Sequence, residues 1–215
     1  MKSYKTMQKQ FALVVSSLFL MAGMALAQAP DQSTPDGLIK IVVSDVMASV
    51  KSDPEIQKGN IPRIVDLVEK KIVPYTDMRR TTEMAMGPNW KKATPEQQTQ
   101  LVSEFKNLLI RTYSGALSQL RDQTMQFKAL RAAPDDQEVV VKTVVLGRGD
   151  PVPLDYRLEK TANGWRVYDM NIMGVWLVEA YRNQFANQIS QNGIDGLVKF
   201  LQERNKQLAA VKPAN

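Results

Sequence analysis

Apolar residues recur along this chain with two periods, and the change from one to the other divides it. Behind Thr34-Pro35, a side-chain cap followed by a first-turn proline, Leu38, Ile41, Val42, Val46 and Val50 recur at helical spacing. Asn60-Ile61-Pro62 opens a second amphipathic helix with Ile64, Val65, Val68 and Ile72, stopped near Pro74. A short helix carrying Met84 and Met86 precedes Gly87-Pro88. Thr94-Pro95-Glu96-Gln97 is a capping box, in which Thr94 takes the orphan amide of Gln97 while the Gln97 side chain reaches back. Leu101, Phe105, Leu108, Leu109, Tyr113, Ala116, Leu117 and Leu120 then share one face of a long helix.

From Met125 the period shortens to that of strands. Phe127 and Leu130 come first, then Val139 to Leu146, then Leu154, Tyr156 and Leu158 alternating with Asp155, Arg157 and Glu159. Asn163-Gly164 is a hairpin signal, and Trp165 to Ile172 makes the return strand. Gly174 ends the sheet. Leu177, Tyr181, Phe185 and Ile189 give a helix that stops near Gly193, and Ile194, Leu197, Val198 and Leu201 give a last one. The predicted fold is α+β, a four-stranded antiparallel sheet faced by helices. The nearly continuous apolar run Val139, Val140, Val141, Val144, Val145 and Leu146 further predicts that both faces of its strand are covered.

The first 27 residues stand outside this pattern. Lys2, Lys5 and Lys9 form a positive flank, Phe11 to Ala22 is apolar apart from Ser16 and Ser17, and Ala25-Leu26-Ala27 is a small-residue cleavage pattern. The segment reads as a secretory signal peptide, because a membrane span needs roughly 20 apolar residues. The mature chain, residues 28–215, is then one exported domain. Loss of the three lysines, with no acid among residues 1–27, lowers the net charge from +6 to +3. That excess is too mild and too scattered for a nucleic-acid footprint.

Composition closes further doors. With no cysteine and no histidine there is no disulfide framework, zinc finger or histidine-based catalytic triad. Gly147-Arg148-Gly149 lacks the third glycine and the helix of a dinucleotide loop, and Asp135-Asp136 reads as a turn former rather than an acid pair. Met84, Met86, Met125, Met170 and Met173 supply adaptable apolar surface, which suits a core or a cavity of variable occupancy.

The C-terminal third carries a more specific pattern. Gly164-Trp165-Arg166-Val167-Tyr168-Asp169, Met173-Gly174-Val175-Trp176-Leu177-Val178, Tyr181-Arg182-Asn183-Gln184-Phe185 and Gly193-Ile194-Asp195-Gly196-Leu197, continued to Leu201, resemble the MlaC family of periplasmic phospholipid carriers, the toluene-tolerance proteins of Gram-negative bacteria. The resemblance extends upstream through Thr94 to Gln97, Phe105, Leu108-Leu109, Tyr113, Val144 to Asp150 and Pro153 to Tyr156. It departs from the family pattern at Met173 and Trp176, where the family carries an acidic and a small polar residue.

The resemblance implies a fold related to the cystatin and nuclear-transport-factor sheets, with an apolar cavity that takes acyl tails and leaves the headgroup outside. It implies a monomeric carrier of diacyl phospholipid, passing between an outer-membrane lipoprotein complex and the substrate-binding ring of an inner-membrane ABC transporter to maintain outer-membrane lipid asymmetry. Such a carrier needs no cofactor and is not an enzyme. The lipid-binding residues are then expected among Tyr113, Val141, Val144, Leu146, Tyr156, Leu158, Val167, Met170, Ile172, Val175, Leu177 and Tyr181. Val144 on one strand and Tyr156 and Leu158 on its neighbour should include cavity-facing positions, although a bulge in either strand reverses that parity. Lys142, Arg148, Arg157 and Arg166 are loose candidates for the headgroup rim, and Gly174 and Gly87-Pro88 for hinges. Two readings compete: an exported chaperone or adaptor that binds a protein through its helical face, and a hydrolase with a Ser-Lys pair, for which no motif exists.

Overall fold

The computed structural model describes residues 31–133 and 135–210, so the predicted signal peptide lies outside the described residues. Helix α1, Pro35–Ser52, begins where the Thr34 hydroxyl accepts the Gly37 amide at 3.2 Å. A single turn, α2 (Pro54–Gln57), leads to α3, Ile61–Lys71, whose Asn60 cap accepts from the Arg63 amide at 3.3 Å. Asp77 caps α4, Met78–Met86, in the same way at 2.8 Å. The capping box predicted at Thr94 is present in both halves, at 3.2 and 2.9 Å, and starts α5, Pro95–Ser118.

Strands β1 (Thr124–Phe127), β2 (Glu138–Leu146), β3 (Val152–Thr161), β4 (Gly164–Ile172) and β5 (Val175–Trp176) follow, and α6 (Leu177–Ala210) closes the chain. The sheet is an antiparallel meander in the order β1-β2-β3-β4-β5. It has five strands, not the four expected, because Met173-Gly174 does not end it but folds back as a two-residue hairpin that pairs Ile172 with Val175. Both turn residues have positive φ, +54° and +90°, the sign a type I′ turn demands. Asparagine or aspartate usually announces such a turn, and here methionine hides it. Leu130 lies beyond the end of β1. The last two predicted helices are both present, and α6 spans the pair; they meet at a kink at Gly193, whose backbone (φ 69°, ψ −175°) is not helical.

Strand β2 also departs from expectation. Its burial alternates, with Val139, Val141, Thr143 and Val145 buried and Val140, Val144 and Leu146 half-exposed, so one face packs and the other is wet. The inner face of the sheet, with Tyr156, Leu158, Trp165 and Val167 beside Val139 and Val141, packs on Leu38 and Ile39 of α1. The second half of α1 turns its Val46 and Val50 to a separate core with Ile64, Leu67 and Val68 of α3 and Ile110 of α5. A third core joins α4, α5 and α6 around Phe105, Phe185, Leu197 and Leu201. Helix α1 therefore bridges a sheet core and a helical core, and the space where those two meet positions the site.

Strand β4 carries the one register shift in the sheet, where Leu158 pairs with Val167 and Arg157 with Asp169, leaving Tyr168 as an extra residue. Beside it Thr76 bridges to Val167, and the Asp77 amide donates to the Val167 carbonyl at 2.8 Å, which covers part of the strand's free edge. No helix among the described residues is long and apolar enough to cross a membrane.

Candidate functional site

Two adjoining pockets open where α1, α3 and α5 face the inner side of β3 and β4. The first, of about 170 Å³, is lined by Val68 of α3 and Ile72 just after it, from α5 by Lys106, Leu109, Ile110, Tyr113 and Leu117, and from the sheet by Val167, Met170 and Ile172, with Leu177 at the start of α6. The second, of about 130 Å³, is lined by Ile39, Val42, Val43, Val46 and Met47 of α1 with Leu120, Met125, Leu154 and Tyr156. Ile72, Thr76, Leu117, Val167 and Met170 belong to both and form a shared wall. The lining is almost wholly apolar. Such a surface attracts hydrocarbon and offers water few partners.

The carboxylate that reaches this region is already engaged. The side chain of Asp169 is fully buried; its Oδ1 accepts the Val178 amide at 3.0 Å and the Met170 amide at 2.9 Å, and its Oδ2 accepts Arg157 Nη1 at 3.0 Å. Burial pushes this carboxyl above its ordinary range against the pull of those donors. Burial likewise raises the hydroxyl of Tyr113, with a smaller contribution from Tyr181. Burial raises Tyr156 strongly, partly offset by its hydrogen bond with Thr143. Both tyrosines therefore stay undissociated in a dry site. No cluster of His, Cys, Asp and Glu able to hold a metal occurs among the described residues.

Of the residues singled out from sequence, Tyr113, Tyr156, Val167, Met170, Ile172 and Leu177 come together on the pocket walls. The others do not. Val141 and Leu158 are spent in the packed sheet core, 2% and 0% exposed. Val144, paired with Pro153, and Leu146 lie on the opposite, half-exposed face of β2, so their expected facing is corrected by the parity of the strand. Val175 is 55% exposed on the β4–β5 hairpin. Tyr181 is turned away into the helical core, edge-on to Phe105 at 4.9 Å between ring centroids.

The rim candidates fare differently again. Lys142 and Arg157 line a wide groove of about 840 Å³ on the outer side of the sheet, edged by the charged Lys128, Arg131 and Glu138, unlike the dry pockets. Arg148 stands in the exposed β2–β3 turn, and Arg166 donates to the Trp165 carbonyl at 2.9 Å. Apart from Tyr113 and Leu177, the helical half of the pockets escaped the sequence reading. Its signal was present in α5, where Leu109, Tyr113 and Leu117 form a second stripe beside the core stripe of Leu101, Phe105 and Leu108.

Known proteins resemble this one along most of its length. The phospholipid-binding protein of Ralstonia solanacearum, solved in complex with a phospholipid, is 54% identical and superposes with a TM-score of 0.79 over 81% of this chain and 98% of its own. The toluene tolerance protein ttg2D of Pseudomonas putida is 26% identical over 179 residues, 83% of each chain. The intermembrane phospholipid transport system binding protein MlaC of Haemophilus influenzae is 21% identical over 210 residues, 94% of this chain and 95% of its own. The family model of the MlaC protein matches residues 40–203, and with most of the chain inside that match, the protein belongs to the MlaC family.

Proposed function

We propose that this protein is a periplasmic phospholipid carrier, exported by a cleavable signal peptide, that shuttles diacyl phospholipid between an outer-membrane lipoprotein complex and the substrate-binding ring of an inner-membrane ABC transporter. The observation that carries this reading is the Ralstonia relative with its bound phospholipid, alike in fold and in more than half of the aligned residues. The paired apolar pockets support this reading, with room for a tail on each side of the wall made by Val167, Met170 and Leu117.

The energetics suit a carrier rather than a catalyst. Each buried methylene is worth about 0.8 kcal/mol against water, so two chains with roughly thirty methylenes hold more than ~20 kcal/mol that forbids unaided crossing. Passage from bilayer to an apolar pocket exchanges one hydrocarbon medium for another and is close to neutral. The site needs dryness and room, and it needs no nucleophile or metal.

Room is gained by opening. Pockets of about 170 and 130 Å³ are too small for two full acyl chains with roughly thirty methylenes between them. Loading therefore widens the seam where the sheet core meets the helical core of α1, α3 and α5. Mass spectrometry of an organic extract of the purified mature protein tests the function. Stoichiometric diacyl phospholipid is expected, and its absence from protein that also fails to take lipid from vesicles overturns the proposal.

A further inference from the structure

Among the described residues that line the two apolar pockets, one side chain is cationic, Lys106 of α5. It lies one turn before Leu109 and Ile110 and two before Tyr113, so its stem covers pocket wall while its ammonium reaches the rim, the usual posture of lysine beside apolar surface. There its Nζ meets Glu69 of α3 at 2.6 Å, with the lysine side chain 24% and the glutamate 38% exposed. The ion pair thus spans the two helices that give Val68, Leu109 and Ile110 to the pocket. Asp169, the carboxylate of the same lining, is held by Arg157 and two backbone amides and is closed to a ligand.

We propose that Lys106 is the phosphate-binding residue of this pocket: with acyl chains inside, the phosphodiester rests at the rim between α3 and α5 and takes the Lys106 ammonium from Glu69. The proposal rests on the phospholipid-carrier reading. An ammonium has three donors and no acceptor, so it turns from a carboxylate to a phosphate oxygen by side-chain rotation alone. A half-exposed ion pair is a weak partner to leave. The phosphate, tethered to chains already buried, competes for the ammonium at high effective concentration. The exchange also breaks the link across α3 and α5, so that loading and the widening of the seam go together.

The test compares two lipids with the same fluorescent-tailed chains, a phosphatidylethanolamine and a diacylglycerol that lacks the phosphate, each loaded on the full mature protein and released to phosphatidylcholine vesicles. Lys106→Met should release the phospholipid about three- to tenfold faster than the wild type, with diacylglycerol release unchanged. Lys106→Gln should match it, Lys106→Arg should restore slow release, and Glu69→Gln should not accelerate release. Equal acceleration of both lipids would assign Lys106 to packing alone and overturn the proposal, as would no effect on either. Inorganic phosphate separates a headgroup subsite from a free-anion site. At millimolar concentration it should leave lipid release unchanged, and saturable phosphate binding to lipid-free protein that Lys106→Met abolishes would overturn the headgroup assignment. A wild-type protein that takes up neither lipid overturns the carrier reading itself; one that takes up both while the variants are silent overturns only the subsite.

Discussion

Arg157 on β3 and Asp169 on β4 face each other across the sheet, Nη1 to Oδ2 at 3.0 Å, the aspartate side chain fully buried and the arginine 35% exposed. The guanidinium also lies 3.8 Å from the centroid of the Trp176 ring, and the carboxylate receives the Val178 amide in the first turn of α6. One ion pair thus ties the sheet, the β5 hairpin and the last helix together.

Removing the arginine leaves a buried charge with two amides to answer it. Arg157→Met should cost about 2–3 kcal/mol in urea unfolding, below the ~3–5 kcal/mol of a wholly buried pair broken on one side. Asp169→Asn, which turns an amide donor toward the guanidinium, should cost about 1–3 kcal/mol. The pH dependence has a definite sign. Burial holds the folded Asp169 above its ordinary value of 3.8, so between that value and the folded one the native state binds more protons than the unfolded chain. The contribution of Asp169 to stability therefore falls as pH rises through that window and is regained on acidification. The wild type should lose this slope when Asp169 becomes asparagine. Asp36, lowered by its hydrogen bond with Lys40, contributes the opposite slope in both proteins.

Filling the wall between the pockets should exclude lipid. Met170 borders both pockets, and the space beside it absorbs a larger ring, so Met170→Trp should leave a cooperative melt while lowering phospholipid occupancy at least severalfold, read by extraction and mass spectrometry. Val144→Trp is the control on the opposite face of β2 and should leave occupancy at the wild-type level. Equal loss in both variants would contradict the facing of the sheet.

Met173 is a side chain in a backbone conformation that disfavours it. At φ +54° and 71% exposed, it has strain to relieve and little packing to lose. Met173→Asn or Met173→Gly should raise stability by about 0.5–1 kcal/mol in thermal or urea unfolding, with lipid transfer unaltered.

Delipidation should be visible as contraction and loss of stability. A ligand that binds only the folded state raises the melting temperature by mass action, so extracted protein should melt lower than loaded protein and recover on reloading. Amide exchange should be faster without lipid in α1 and α3, which border the pockets, and unchanged around Phe105 and Phe185 in the third core.

Much of this molecule was legible from residue order because its local signals agree with one another. Thr34-Pro35, Asn60 and the Thr94-Gln97 box each sit at a helix start, and the alternation from Leu154 to Leu158 gave the inner face of β3. What escaped was set by pairing rather than by period. The valines of β2 are apolar on both faces, so hydrophobicity could not say that Val144 and Leu146 look outward. The β4–β5 hairpin hid behind methionine in a turn position. The helical half of the pockets depends on which of two adjacent stripes of α5 meets the sheet, a matter of packing that a single chain's periodicity leaves open.

The extra residue at Tyr168 makes the span from Trp165 to Met170 a matter of counting. Trp165 and Val167 face inward two residues apart, but Met170 follows Val167 by three, since the bulge absorbs one position. Take that residue out by deletion, and either the pocket wall at Met170 or the core at Trp165 and Val167 must turn to water. Side chains along this stretch can be exchanged one at a time, whereas its length cannot be changed by a single codon without exchanging inside for outside.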